Sequence, residues 1–233
     1  MKYTSILLLF IGLVTTSAVA QKTITEGQIT MELSDISSSD PAIKEQMAMM
    51  GGSKTVVAFN QQYSAMELNM MEGLVKMKTI TTLDSGNAKM YMDAMGMKYV
   101  IPMTKAEKQK MIAEQTGGAD VDFTVAYDKK DTKEIAGYKC HKAVIKNGSD
   151  SGQTINCYVT EKIKADAKVL SGFEAVDLVG FPLEYSMGDS AMSMTFTAKE
   201  FSTDIDEAIF KVDESKYTEM SLEDFSKMGG MGL

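Results

Sequence analysis

Residues 135–160 read IAGYKCHKAVI (Ile135–Ile145), KNGSDSGQ (146–153) and TINCYVT (Thr154–Thr160). Two runs rich in β-branched and aromatic residues flank a cluster of Asn, Gly, Ser and Asp, the composition of two strands joined by a turn. Each run carries one of the two cysteines of the chain, Cys140 and Cys157. If Lys146 and Ser151 close a four-residue loop, Cys140 falls directly across from Cys157. Opposed β-carbons on an antiparallel pair lie about 4.5–5.5 Å apart, near disulfide reach. The expectation in an oxidising compartment is a Cys140–Cys157 disulfide, contributing roughly 3 kcal/mol. Two buried free thiols are the alternative. Strand alternation sends His141, the one histidine of the chain, to the face opposite Cys140, so a local Cys/His catalytic pair is not expected.

The compartment is read from the N-terminus. Lys2 precedes an apolar run from Ile6 to Val14, and Ala18-Val19-Ala20 supplies the small residues of a cleavage site. Together these are the parts of a secretory signal over residues 1–20, with the mature chain expected from Gln21. The apolar run is shorter than the roughly 20 residues that cross a bilayer, so an exported rather than an integral membrane protein is expected, periplasmic or extracellular. Residues 21–233 then form one domain. Only three prolines and no Ser/Gly-rich or Pro/Gly-rich linker interrupt them. The formal net charge is −8, and every basic residue is a lysine. Nucleic acid and anionic membrane are poor partners for such a surface, because phosphate recognition draws on clustered cations and favours arginine.

Period-two patterning dominates the mature chain. Strands are predicted at Thr23–Leu33, Lys54–Asn60, Tyr63–Met70, Leu74–Leu83, Lys89–Met92, Met97–Ile101, Asp122–Tyr127, Tyr138–Lys146, Thr154–Lys162, Pro182–Met187 and Met192–Phe201. Thr104 and Glu107 make a capping box for a helix reaching about Gln115. Asp40 is placed to cap a shorter helix over Pro41–Met50, and Ser221–Met228 reads as a last helix before a glycine-rich tail from about residue 229. Strands without regularly alternating helices imply an antiparallel α+β protein, with a strongly curved sheet or half-open barrel closed by two or three short helices.

The run KEIAGYKCHKAVI (Lys133–Ile145), with the polar turn and YVTEKI (Tyr158–Ile163), is similar to the central signature of a secreted bacterial family, the domain-of-unknown-function 4412 family, common in Bacteroidota. Pro182–Glu184 and Phe210–Tyr217 fit the same pattern. Tyr158 stands where such proteins usually carry tryptophan, and Cys157 is an addition. The family in turn resembles the periplasmic lipoprotein carriers of the LolA/LolB-like superfamily. That resemblance implies a half-open antiparallel barrel with a concave apolar face, a place for a lipid or another apolar ligand.

Composition points the same way. Of the 21 methionines, 14 fall between Met31 and Met111. Met66, Leu68 and Met70, then Met90 and Met92, then Met192, Met194 and Phe196 recur at alternate positions, so each set lines one face of its strand. Flexible, polarizable thioethers suit a cavity for chains of variable shape, and they serve equally well as core filling. A second class of function is Cu(I) handling by Met47, Met49 and Met50, by Met95 and Met97, or by Met228 and Met231. With one histidine no zinc pattern exists, and no metal or other cofactor is expected. A third class is an interaction protein of the envelope without a small-molecule ligand; the acidic stretches Asp204–Glu207 and Asp213–Ser215 read as solvated surface. No G-x-S-x-G, H-E-x-x-H or P-loop is present, so catalysis is not expected.

Overall fold

The computed structural model describes residues 24–41, 45, 53–116, 122–148, 154–170, 172–188 and 192–227. Among these, twelve strands form one sheet. In chain order they are β1 (Gly27–Ser38), β2 (Lys54–Phe59), β3 (Tyr63–Met70), β4 (Val75–Thr82), β5 (Ala88–Ala94), β6 (Met97–Met103), β7 (Phe123–Ile135), β8 (Tyr138–Asn147), β9 (Thr154–Thr160), β10 (Phe181–Gly188), β11 (Met192–Ser202) and β12 (Thr218–Glu219). Their spatial order is β12-β6-β5-β4-β3-β2-β1-β11-β10-β9-β8-β7, leaving the sheet unclosed between β12 and β7. All neighbours are antiparallel except β12, which runs parallel to β6. The fold is therefore the antiparallel α+β arrangement that the alternation implies. Helix α1 (Lys105–Thr116) lies between β6 and β7 in the chain, and α2 (Leu222–Lys227) follows β12.

The capping box forms in both halves. Thr104 N–H donates to Glu107 Oε2 at 2.8 Å and Glu107 N–H donates to Thr104 Oγ1 at 3.2 Å, satisfying two orphan donors at the start of α1. Most of the predicted 41–50 helix, the signal segment and the tail from 228 lie outside the described residues. Strand β6 runs through Pro102 rather than stopping there. Pro102 pairs with Lys89 on one side, and β12 on the other side ends its pairing at Val100, so the missing N–H interrupts no ladder at that edge.

Strand β7 is longer than the predicted Asp122–Tyr127. Its pairing with β8 resumes at Thr132 opposite His141 after a bulge at residues 129–131, where Asp128 Oδ1 accepts the Lys130 N–H at 2.9 Å. A two-residue turn closes the hairpin, with φ of +48° at Ala136 and +80° at Gly137, the left-handed pair a right-twisted hairpin requires.

The disulfide expectation is corrected by the register of β8 and β9. Lys146 pairs with Thr154, not Ser151, and Cys157 stands opposite Ala143. Strand β8 runs on past Lys146 because β7 still holds it: Asn147 pairs with Phe123, and Gly148 N–H donates to the Asp122 carbonyl at 2.9 Å. A shift of three residues is odd, so alternation places Cys140 and Cys157 on opposite faces. Both are buried free thiols.

The 203–217 segment, read from sequence as acidic surface, crosses one face of the sheet as a strap. Asp206 and Asp213 cap short 3-10 turns at Glu207–Phe210 and Glu214–Lys216. Ile209 packs with Ala58 and Ala65, and Glu214 holds Lys89 at 2.7 Å and accepts the Tyr91 hydroxyl at 2.7 Å. The opposite face of the sheet carries the main core.

Candidate functional site: the methionine face

Register brings the eight candidate lining residues to one face. One row of neighbours runs Ala198, Met31, Thr55, Leu68, Met77, Met92 and Tyr99 across seven strands. A parallel row joins Met66, Thr79, Met90 and Ile101. On the far side Phe196 lies between Leu33 and Tyr185, Met194 between Ile36 and Met187, and Met192 beside Ser38. The sets on β3, β5 and β11 are thus continuous through β1 and β2.

The eight do not share one environment. Met90 and Met92 are buried with Met77 and Ile101 under Met111 of α1 and Leu222 and Phe225 of α2, as core residues. Met66, Leu68, Met70, Met192, Met194 and Phe196 are half-buried. The segment at 161–180, which carries a short 3-10 turn at Ala167–Val169, covers part of the same face. Its Phe173 is fully buried edge-on against Tyr185, with centroids 5.1 Å apart, and Tyr185 stacks on Phe196 at 5.3 Å. Core filling and partly open lining therefore coexist on one surface, the first under the helices and the second beside them.

Two charged side chains that sequence reading passed over face this surface. Lys108 sits one turn before Met111 on α1 and donates from Nζ to Thr81 Oγ1 at 3.2 Å. Burial holds its ammonium below the usual lysine range, opposed by the charge of Glu174. Glu174, from the 161–180 segment, accepts the Gly172 N–H at 2.8 Å, and burial pushes its carboxyl above the usual range. Helical spacing was the available signal for Lys108, since positions 108, 111 and 112 share one side of α1. Nothing local marks Glu174, whose neighbours come from α1 and β10.

Burial raises the Cys140 thiol to about 11 and the Cys157 thiol to about 12, so neither is a thiolate at neutral pH. The His141 ring packs 5.9 Å from that of Tyr127. Among the copper candidates, Met95 and Met97 stand 77% and 53% exposed at the β5–β6 turn. Met47, Met49, Met50, Met228 and Met231 lie outside the described residues. Among the described residues, no group of three or more His, Cys, Asp or Glu could hold a metal ion, and no helix is long and apolar enough to cross a membrane.

No family model matches the chain, and no curated protein matches it. Solved structures with distant similarity include LppX, a lipoprotein of Mycobacterium tuberculosis, at 9% identity and a TM-score of 0.40, over 78% of this chain and 89% of that one. The MucA/MucB complex of Pseudomonas aeruginosa matches at 9% identity and a TM-score of 0.35, over 84% of this chain and 58% of that one. A domain described as an outer membrane lipoprotein-sorting protein from Vibrio parahaemolyticus matches at 8% identity and a TM-score of 0.25, over 84% of this chain and 93% of that one. The chain spans little more than half the length of the MucB structure it matches. At these scores the architecture rests on its own strand register.

Proposed function

We propose that this is an exported, non-catalytic binding protein that accommodates a lipid or another apolar, chain-like ligand on the methionine face, with the sheet curved about it. The observation that carries the reading is the half-buried set Met66, Leu68, Met70, Met192, Met194 and Phe196 on one continuous face beside the α1 and 161–180 covers. Half-burial matters because a side chain sealed in the core has no contact left to offer. Flexible thioethers repack around chains of different shape at low cost, and an apolar surface of this kind favours ligands by the area it removes from water.

Native mass spectrometry of the protein purified from its own envelope tests this. A copurifying lipid or acyl mass supports the reading. A protein that carries no apolar mass and gives no fluorescence enhancement with the neutral apolar probe Nile red overturns it. Stoichiometric Cu(I) would move the assignment to metal handling, and a stable crosslinked partner in place of any ligand would move it to an interaction role.

A further inference from the structure

The strap encloses a cleft of about 250 Å³ against the face of the sheet that the methionines leave free. Its floor is Gln28, Val56, Glu67 and Lys78, and its roof is Asp206, Ala208 and Ile209 of the strap. Glu67 and Lys78 pair across β3 and β4. Met66 and Leu68 flank the first and Met77 and Thr79 the second, so alternation turns both charges to the strap side. Asp206 caps the turn that carries Ala208 and Ile209, and Ile209 fixes that turn on Ala58 and Ala65.

Glu67 and Lys78 form a half-buried ion pair at 2.8 Å. Burial works against the charge on Glu67, yet hydrogen bonds from Lys78 and Asn69 hold its carboxyl below the usual carboxylate range. Both of its oxygens are engaged, one by Lys78 and the other by Asn69 Nδ2 at 3.2 Å. Lys78 has three N–H donors and, among the described residues, this one ion pair, so donors remain to it. Asp206 is exposed, its Oδ1 accepts the Ala208 N–H at 3.0 Å, and among the described residues it forms no ion pair. The Gln28 amide makes no side-chain hydrogen bond among the described residues. The cleft therefore presents donors at Lys78, an acceptor at Asp206 and an apolar patch of Val56, Ala208 and Ile209 within one small volume.

We propose that this cleft is a second binding site, independent of the methionine face, and that it takes a small zwitterion with an apolar side chain, an α-amino acid. The ligand carboxylate accepts from the remaining Lys78 N–H groups, its ammonium donates to Asp206, and its side chain lies on Val56, Ala208 and Ile209. A ligand with a positive charge alone leaves Lys78 facing like charge, and one with a negative charge alone meets Glu67 and Asp206 in the same way. One molecule that carries both charges makes a charge-assisted contact at each end. The cleft lies below the usual size of a drug-sized ligand pocket, which suits a molecule of amino-acid rather than lipid dimensions.

The test is isothermal titration calorimetry of the full mature chain at pH 7 with L-alanine, L-valine, L-leucine and L-methionine, then with the amine and the carboxylic acid that correspond to the strongest binder, each lacking one charge. At least one amino acid should bind about ten-fold or more tightly than both of its analogues. Lys78→Met should abolish the preference over the amine. Asp206→Asn, which keeps an oxygen to accept the Ala208 N–H, should abolish the preference over the acid. Far-UV circular dichroism and a melting curve check that each variant is folded, with Lys78→Gln as the substitute if the methionine variant is not. Met66→Ala, on the other face, should leave amino-acid binding unchanged. Absence of binding by all four amino acids, equal affinity for the amino acid and either analogue, or a preference that survives both substitutions overturns the assignment. Nile red binding to the methionine face is read separately, so the apolar-ligand reading stands or falls on its own.

Discussion

Cys157 stands directly opposite Ala143, and Cys140 is three residues along that same strand, on the other face of the sheet. Each thiol donates to a backbone carbonyl, Cys140 to Tyr138 O at 3.5 Å and Cys157 to Ala143 O at 3.4 Å. The expected outcome is two titratable thiols per denatured chain without reductant, slow alkylation of the folded protein at pH 8, and a Tm unmoved by dithiothreitol. Recovery of a Cys140–Cys157 crosslinked peptide from a non-reducing digest would contradict the register.

The β7–β8 turn sets Ala136 at φ +48° before Gly137 at φ +80°. A side chain in the left-handed region costs about 1–2 kcal/mol, of which glycine's greater freedom in the unfolded chain returns part. Ala136→Gly should therefore raise stability by about 0.5–1 kcal/mol. Gly137→Ala should lower it by about 1 kcal/mol through backbone strain alone, because nothing lies within 4 Å of the added Cβ. Urea midpoints with unchanged slopes measure both, and a destabilised Ala136→Gly would mean that the turn is not left-handed at that residue.

Met77 and Met66 separate core from lining. Met77 is buried between Leu68 and Met92, so Met77→Ala should cost ~2–5 kcal/mol. Met66 is half-buried on the same face, and Met66→Ala should cost clearly less while weakening Nile red binding several-fold. The two variants are compared by denaturant unfolding and probe titration. Similar stability losses with undiminished probe binding would return Met66 to the core.

Glu174 gives the fold a pH dependence of known sign. Burial raises its pKa in the folded chain above the ordinary carboxylate value, so folding takes up a proton between the two values. Stability from this group is fully present below the ordinary value and is lost as pH rises through the raised one. Glu174→Gln keeps an oxygen to accept the Gly172 N–H and removes the charge. It should raise Tm at pH 8 and change it little at pH 3.5, as read by thermal melts across that range. A Tm gain that is the same at both pH values would rule out the carboxyl as its source.

Much of the sheet was legible because its signals are local. The Thr104 and Glu107 pair fixes where α1 starts, and alternation at Met66, Leu68 and Met70 fixes a shared face for them without reference to any neighbour. The strap was missed because Asp206 and Asp213 look like solvated charge until Ile209 and Tyr217 are seen packing beside them, on Ala65 and on Tyr91. The length of β7 was missed because its polar second half is held by β8 rather than by its own pattern.

The sequence by itself determined most of the strands, the antiparallel class and which side of each strand the methionines occupy, since these come from a period of two and from capping and turn residues within a few positions, but not the short parallel β12. Only the tertiary structure decided the register of β8 on β9, because β7 holds Asn147 and Gly148 beyond the point where the hairpin composition alone would turn. The same holds for the approach of Glu174 to Lys108 on one side and to Tyr185 on the other. Those three come from a helix, an irregular segment and a strand far apart in the chain, and the packing of α1 and residues 161–180 onto the shared face sets them together.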